Sequence, residues 1–411
     1  MKAKVDVLIV GGGPAGLAAA VRLHELGITN ILVVEREKQL GGILRQCIHD
    51  GFGLARFKES LSGPEYAAHF IEEVLRRGIP FLTNATVYNI TPDRQVTVVT
   101  REGLCVYEAG AVILAMGCRE RTRGALAIPG ERPAGVFTAG VAQAYINLYN
   151  RMPAKEVIIL GSGDIGMIMA RRLTLEGAHV KAVFEVQPYP SGLARNIQQC
   201  LKDYDIPLYL SHTVTKVHGD ERLEGVTVSE VDEAFRPVPG TEVYYPCDTL
   251  ILSVGLIPEN ELSLDAGVAL DPRTRGAKVD EEYQTSVPGI FAAGNVLHVH
   301  DLVDYVSLEA EAMAESAARF LEGKLQAGEA VTVQAGDGIG YTVPQRVAGQ
   351  EPFTLSLRVR RPMNNVSIIV RQGDSIIARK KVTKALPAEM IRLEVRPTPD
   401  TAGKQMEVSL E

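Results

Sequence analysis

The sequence predicts an α/β protein of two doubly wound domains, one inserted into the other, followed by a small C-terminal all-β domain of sandwich type. Two observations predict the first part. A glycine loop flanked by a β-rich run and a helical run occurs twice at an offset of 150 residues, and each copy ends on a glutamate 24 residues after its first glycine. A third predicts the second part: beyond about Gly328 the mixture of strands and helices gives way to short alternating strands.

In the first copy an apolar run at 5–10 leads into Gly11-Gly12-Gly13-Pro14-Ala15-Gly16, then helical apolar spacing, then a second apolar run at 31–34 that ends at Glu35. Each glycine has a distinct task in such a loop. Gly11 permits the tight turn, Gly13 lets a pyrophosphate approach the backbone, and Gly16 lets helix and strand pack closely. Phosphate then meets the helix N-terminus, and Glu35 is placed to accept hydrogen bonds from ribose hydroxyls. The second copy has runs at 156–160 and 180–184 around Gly161-Ser162-Gly163-Asp164-Ile165-Gly166, and closes on Glu185. Two copies are too few and too far apart for a solenoid. They read as two Rossmann-like βαβ domains, each binding a dinucleotide. At the second site the carboxylate of Glu185 favours NAD(H). A 2′-phosphate would want a cation, and the residues after Glu185 are Val186, Gln187, Pro188, Tyr189 and Pro190, which disfavours NADP while Lys181 and Arg195 keep the question open.

Between the loops the sequence predicts a helix over 64–77, strands at 95–100 and 104–108, and a buried central strand over 111–117. The strand-to-glycine pattern recurs at 249–255 and 289–294, and a long helix is expected over 302–321. Strands at 353–360, 366–372, 375–382 and 390–395 form the terminal domain, with Gln372-Gly373-Asp374 as a hairpin turn. The expected limits are 1–130 with 247–325 for the first domain, 131–246 for the inserted one and 326–411 for the last.

Composition narrows the function. With 46% hydrophobic and 23% charged residues and a formal charge of -7, the chain has the balance of a globular enzyme and lacks the basic excess expected of a nucleic-acid binder. The apolar opening is interrupted by glycines and followed by Arg22, whereas a membrane span needs about 20 continuous apolar residues. Neither a transmembrane segment nor a secretory signal is expected, which places the chain in the cytoplasm. Five widely spaced cysteines without any C-x-x-C fit neither a disulfide framework nor a zinc or iron–sulfur site, so no metal is expected.

Further strings carry a resemblance. Ala115-Met116-Gly117, Ser253-Val254-Gly255-Leu256-Ile257-Pro258 and the segment from Thr285 to Asn295 resemble segments of the flavoproteins with two dinucleotide-binding domains, the group of thioredoxin reductase and glutathione reductase. The likeness runs to about Leu321. It implies FAD at the first glycine loop, with contacts from Gly11, Gly13, Pro14, Ala15, Gly16, Glu35, Arg36, Gly42, Gln46, Val87, Ala115, Gly117, Gly294, Asn295 and Val296. It implies NAD at the second, with Gly161, Gly163, Asp164, Ile165, Gly166, Glu185 and Gly255. The group usually has aspartate where this chain has Asn295, and asparagine still both donates and accepts. Three more strings, from Gly41 to Leu54, from Ser62 to Ala67 and from Gly294 to Asp304, resemble a subgroup: FAD/NAD oxidoreductases associated with anaerobic-type glycerol-3-phosphate dehydrogenases, which are similar to the FAD subunits of hydrogen cyanide synthase and opine oxidases. That resemblance implies two partners, a small cysteine-containing protein and a second flavoprotein dehydrogenase subunit. A homo-oligomer is also compatible with the sequence.

Disulfide reductases of the group need a cysteine pair beside the flavin, and neither usual place holds one, so a disulfide reductase is not expected. Cys47 has two readings, a thiol near the flavin or a buried inert one. His298 and His300 likewise act as proton donors or only cap and pack a loop, and the helix after them is expected to aim its positive end at the flavin. Arg358, Arg360, Arg361, Arg371, Arg379, Lys380, Lys381 and Lys384 form either a docking face or a solvated strand face. The function expected is hydride transfer between nicotinamide and flavin N5 in an electron-transfer subunit. The alternatives are a stand-alone NADH oxidase or NADH:acceptor reductase, and a flavin-containing assembly protein with little turnover.

Overall fold

The computed structural model describes residues 2–325, 330–348, 351–397 and 404–411. It divides into one unit of residues 1–118 with 258–411 and a second of residues 119–257. The expected limit at 325/326 abuts residues outside the described set.

In the first unit a parallel sheet runs in the order Phe81–Leu82, Ile31–Val34, Lys2–Val10, Gly103–Leu114, with Ile290–Ala292 also paired to Gly103–Leu114. The stretches expected as two strands at 104–108 and 111–117 form one strand, Gly103–Leu114. Its first half pairs antiparallel with Gln95–Thr100, and its length from Val106 to Leu114 pairs parallel with the first strand. Gly110 hides this continuity by interrupting the side-chain alternation; a Cβ there would stand 2.8 Å from the Asp6 carbonyl oxygen and from Leu321. Helices Pro14–Glu25, Gly63–Arg77 and Val303–Leu321 cover one face, where Leu17, Ala20, Tyr66, Phe70, Ala310 and Met313 share one core with Ile9 and Ile113. The second of these helices starts with a reciprocal cap in which the backbone amide of Ser62 donates to Glu65 at 2.8 Å, and it stops at Gly78, φ 65°.

The second unit repeats the plan, with the parallel order Val136–Thr138, Thr249–Leu252, Glu156–Leu160, His179–Glu185, Leu208–Leu210. This corrects the expected boundaries. The strand Thr249–Leu252 lies inside the second sheet, not the first, and residues 119–130 are tied to the same unit by the Val217 amide donating to Pro129 at 3.0 Å. A three-stranded antiparallel sheet, His212–His218, Gly225–Glu230 and Val243–Pro246, adds to this unit.

The C-terminal part of the first unit is a sandwich. A five-stranded sheet (Arg346–Val347, Val331–Ala335, Met406–Leu410, Met363–Gln372, Ser375–Ala385) faces a three-stranded one (Ile339–Val343, Phe353–Val359, Ile391–Val395). Leu355, Leu357, Ile368, Val370 and Val408 fill the space between them. The expected hairpin is present, with Gln372 opposite Ser375 and Gly373 at φ 58°.

Candidate active site

Both glycine loops leave the carboxyl ends of parallel strands, where open α/β sheets bind ligands. In the first, Gly11 (φ 109°) and Gly16 are demanded by the backbone itself: a Cβ on Gly11 would lie 2.4 Å from the Ala115 oxygen, and one on Gly16 1.9 Å from the Gly11 oxygen. Gly13 differs. Its Cβ would meet only the Gly42 Cα at 3.9 Å, so the chain around it has room for a methyl group and its glycine character is left for a ligand to require. That open position at the N-cap of Pro14–Glu25 is the fit expected for a pyrophosphate.

Glu35 is buried and fixed by two backbone amides, Gly12 to Oε2 and Glu37 to Oε1, each at 2.8 Å. It therefore sets the loop's shape while keeping lone pairs for ribose hydroxyls. Glu185 is more heavily engaged. It accepts from the Ser162 amide (2.9 Å), the Ser162 and Ser191 hydroxyls (2.6 and 2.7 Å) and the Gln187 amide (2.9 Å). Three of these donors crowd Oε2 and one reaches Oε1, so a ribose hydroxyl here either uses the remaining capacity of Oε1 or takes the place of a serine hydroxyl. Asp164 is spent on the Leu193 amide (2.8 Å) and the Asn196 side chain (2.7 Å), which holds the loop after Ser191. Ile165 is half-buried on the first helical turn, Gly161 approaches the Ser253 carbonyl too closely for any Cβ, and Gly255 (φ 100°) accepts from the Arg121 amide. Lys181 is committed to the Pro246 carbonyl and Glu156, whereas Arg195 is exposed.

Around the first loop the structure gathers most of the expected residues. The Gly41 amide donates to the Gly12 oxygen at 2.8 Å, and a Cβ on Gly42 would lie 3.0 Å from Gly13. One on Gly294 would lie 3.0 Å from Ala15. Gln46 is buried in the turn Gly42–Gln46, Gly117 takes φ 72°, and Val296 is buried with its carbonyl accepting from Asn260. Val87 turns its side chain into the core, and Arg36 is exposed. Asn295 accepts from the His300 amide at 3.0 Å and points its Nδ2 toward the Cys118 sulfur at 3.6 Å.

The candidate catalytic groups come out differently from one another. Cys47 is buried, donates to the Ile43 carbonyl at 3.4 Å, and has its thiol pushed up to about 12 by burial. Burial thus favours the protonated thiol, which agrees with the inert reading. His298 and His300 converge on a residue that sequence reasoning missed, Glu309, whose Oε2 receives their Nε2 atoms at 2.7 and 3.3 Å while Oε1 accepts the Gly294 amide at 2.8 Å. All three side chains are nearly inaccessible, with 1%, 2% and 5% exposure. Burial pushes the Glu309 carboxyl up, but its contacts with the two imidazoles outweigh it and hold it below the usual range; burial in turn lowers His298 against the pull of Glu309.

These three ligand-capable atoms lie within 4.8 Å of one another, a spacing that a cation can use. As they stand, His298 Nε2 and Glu309 Oε2 are 2.7 Å apart, the separation of a hydrogen bond. No signal in the sequence singles out Glu309, one acid among several in a regular helix.

Asp304, in the first turn of Val303–Leu321, accepts from the amides of Gly53, Ala55 and Arg56 at 3.0, 3.0 and 2.7 Å, and the Tyr66 hydroxyl donates to Ser307 at 2.8 Å. The three separate strings singled out in the sequence are thus one physical assembly: the loop after Gly41, the helix after Ser62 and the segment after Gly294. The basic residues of the last domain do not make one face. Arg358 is turned inward, Arg371 and Arg379 pair with Glu411, and strand alternation places Arg379 and Lys381 opposite Lys380 and Lys384. Among the described residues no helix is long and apolar enough to cross a membrane.

The chain is similar to several known proteins. One of the opine oxidase subunits of Agrobacterium tumefaciens is 27% identical over 71% of this chain and 61% of its own length. An NAD(P)H sulfur oxidoreductase (CoA-dependent) of Pyrococcus abyssi is 28% identical over 74% of this chain and 65% of its own. The chain therefore spans less than two thirds of these relatives. The crystal structure of T. acidophilum thioredoxin reductase is 25% identical, with a TM-score of 0.64, over 77% of this chain and 98% of that one. The signature of the pyridine nucleotide-disulphide oxidoreductases spans residues 5–317, and the chain belongs to that family, whose members bind FAD and NAD(P)H.

Proposed function

We propose that the chain is an FAD-dependent NADH oxidoreductase that works as an electron-transfer subunit beside a glycerol-3-phosphate dehydrogenase-like flavoprotein, with a small cysteine-containing protein as a third partner. The observation that carries the first half is Gly13, a glycine that this fold does not need for itself and a pyrophosphate does. When both cofactors are bound, the chemistry is transfer of a hydride between nicotinamide C4 and flavin N5. The chain's own residues bind and orient. Gly11 to Gly16 present backbone amides and a helix N-terminus to phosphate, Glu35 and Glu185 set the shape of each loop, and Asn295 stands at the segment that Glu309 anchors through Gly294.

The absence of any C-x-x-C and the protonated state of Cys47 speak against a disulfide substrate. Thioredoxin reductase is nonetheless among the structural relatives, so family membership by itself does not set that chemistry aside. The partner half draws support from the strings shared with the dehydrogenase-associated subgroup and from the likeness to one of the opine oxidase subunits. A second reading, a stand-alone NAD(P)H:acceptor reductase, is favoured by the sulfur oxidoreductase relative. Isolation of the native complex separates the two. A second flavoprotein that copurifies in fixed ratio and raises NADH-linked turnover supports the subunit reading, and a chain that purifies alone with full turnover on a small acceptor overturns it.

A further inference from the structure

The C-terminal sandwich grips the segment that carries the FAD motif. Arg358, on Phe353–Val359 and only 16% exposed, sends Nη2 to the Val299 carbonyl at 3.0 Å and lies 3.7 Å from Asp301. Its remaining nitrogens are held by the sandwich itself: Nε donates to the Tyr341 hydroxyl at 3.2 Å, and Nη1 to the Pro387 carbonyl at 2.8 Å and to Ala388. The Tyr341 and His298 rings stand nearly perpendicular with centroids 5.9 Å apart, and the Met390 amide donates to Asp301 at 3.3 Å.

Val299 sits between the two histidines that Glu309 collects, Glu309 holds Gly294, and the His300 amide holds Asn295. A guanidinium is suited to this because its fork is planar and serves several acceptors at once, which a lysine ammonium on a flexible stem does not do in the same geometry. We infer that Arg358 is a positioning residue for bound FAD, which makes the sandwich a working part of the flavin site. The inference rests on the FAD reading above. It also explains why this arginine contributes nothing to an outer basic face.

The test compares R358M, R358K and, as a control, R360M; Arg360 donates to the Ile339 carbonyl at 3.1 Å and, among the described residues, makes no side-chain hydrogen bond to the flavin segment. Three quantities are read on the full chain: FAD affinity by titration of the stripped protein, midpoint potential of the bound flavin, and hydrogen exchange of residues 294–301. R358M loses about tenfold or more in FAD affinity, the scale of a lost charge-assisted hydrogen bond. Its midpoint potential moves and its exchange in 294–301 quickens, with R358K between it and the parent. R360M stays within about twofold of the parent. If R358M does not fold, R358K decides, since it keeps the charge and the stem packing. An R358K that matches the parent in affinity, potential and exchange overturns the inference. A parent chain that binds no FAD overturns instead the cofactor reading on which it stands, so the two failures are distinct.

Discussion

Replacing Gly13 by alanine separates ligand demand from fold demand. Gly13 has φ -82° and ψ -172°, extended backbone that alanine adopts without strain, and its Cβ would have nothing nearer than 3.9 Å. The change loses some of glycine's advantage at an N-cap and gains from a less flexible unfolded chain, so the net effect on stability without cofactor is within about 1 kcal/mol. The methyl group nevertheless occupies the place where a pyrophosphate must approach the loop. Losing one charge-assisted phosphate contact costs about 1.5–3 kcal/mol, roughly 10- to 150-fold in FAD dissociation constant. Gly16→Ala is the contrast, because its Cβ would lie 1.9 Å from a backbone oxygen, and it loses the fold as well as the cofactor. Thermal melting of stripped protein and fluorescence titration with FAD read the two quantities. An FAD affinity unchanged within twofold in G13A would refute the placement of the pyrophosphate, and an unfolded G13A would refute the steric argument.

Asp280 supplies a pH dependence. Burial, with Glu281 beside it, pushes its carboxyl up to about 7, against an ordinary value near 3.9. The folded state then binds a proton that the unfolded chain has released, so stability falls as pH rises from about 4 to about 7 and is flat above, a difference of roughly 2–4 kcal/mol. Asp280→Asn keeps the acceptor for the Glu282 and Gln284 amides. Melting curves across that window should show the parent losing stability relative to the variant, and parallel curves would contradict the shift. Cys47 in the native protein should label with iodoacetamide only as fast as about one thiolate in 10⁴ allows at pH 8, and Cys47→Ser should retain NADH-linked turnover; rapid labelling with loss of turnover would reinstate it as a catalytic group. Chelator-treated protein exposed to Zn²⁺ should not take up an ion at His298, His300 and Glu309, whereas one-to-one uptake abolished by His298→Ala would replace the hydrogen-bonded assignment with a metal site. NADH should be preferred to NADPH in the parent, and Arg195→Ala should leave the NADH Michaelis constant unchanged; a large rise for NADH would place Arg195 at the ribose instead.

What could be read from the sequence was what steric necessity writes into it. Gly11, Gly16 and Gly161 stand where a Cβ meets a backbone oxygen, so the two loops and the strands before them were legible from spacing alone. The helix Gly63–Arg77 was legible as a helix over 64–77, one residue short of its observed start. Contacts made across the chain left no such mark. Glu309 reaches Gly294 from within a long helix, and Arg358 reaches Val299 from a strand of the sandwich, each an ordinary charged residue within its own segment. The sheet at His212–His218, Gly225–Glu230 and Val243–Pro246 escaped notice, and an irregularity between Val214 and Lys216 breaks the side-chain alternation in its first strand. The strand Thr249–Leu252 was recognised as a strand but assigned to the wrong sheet, since a buried run of Thr, Leu and Ile states its burial and not its neighbours.

The central claim is that this chain uses the two loops to pass a hydride between nicotinamide and flavin without a thiol relay. Anaerobic mixing of the FAD-loaded protein with NADH, followed at the flavin absorption band, tests it most directly. The account predicts rapid bleaching that persists in Cys47→Ser and is slowed in G163A, where a methyl group has room in the fold but not beside a dinucleotide. A flavin band that does not bleach, or one that bleaches only when Cys47 is intact, would contradict it.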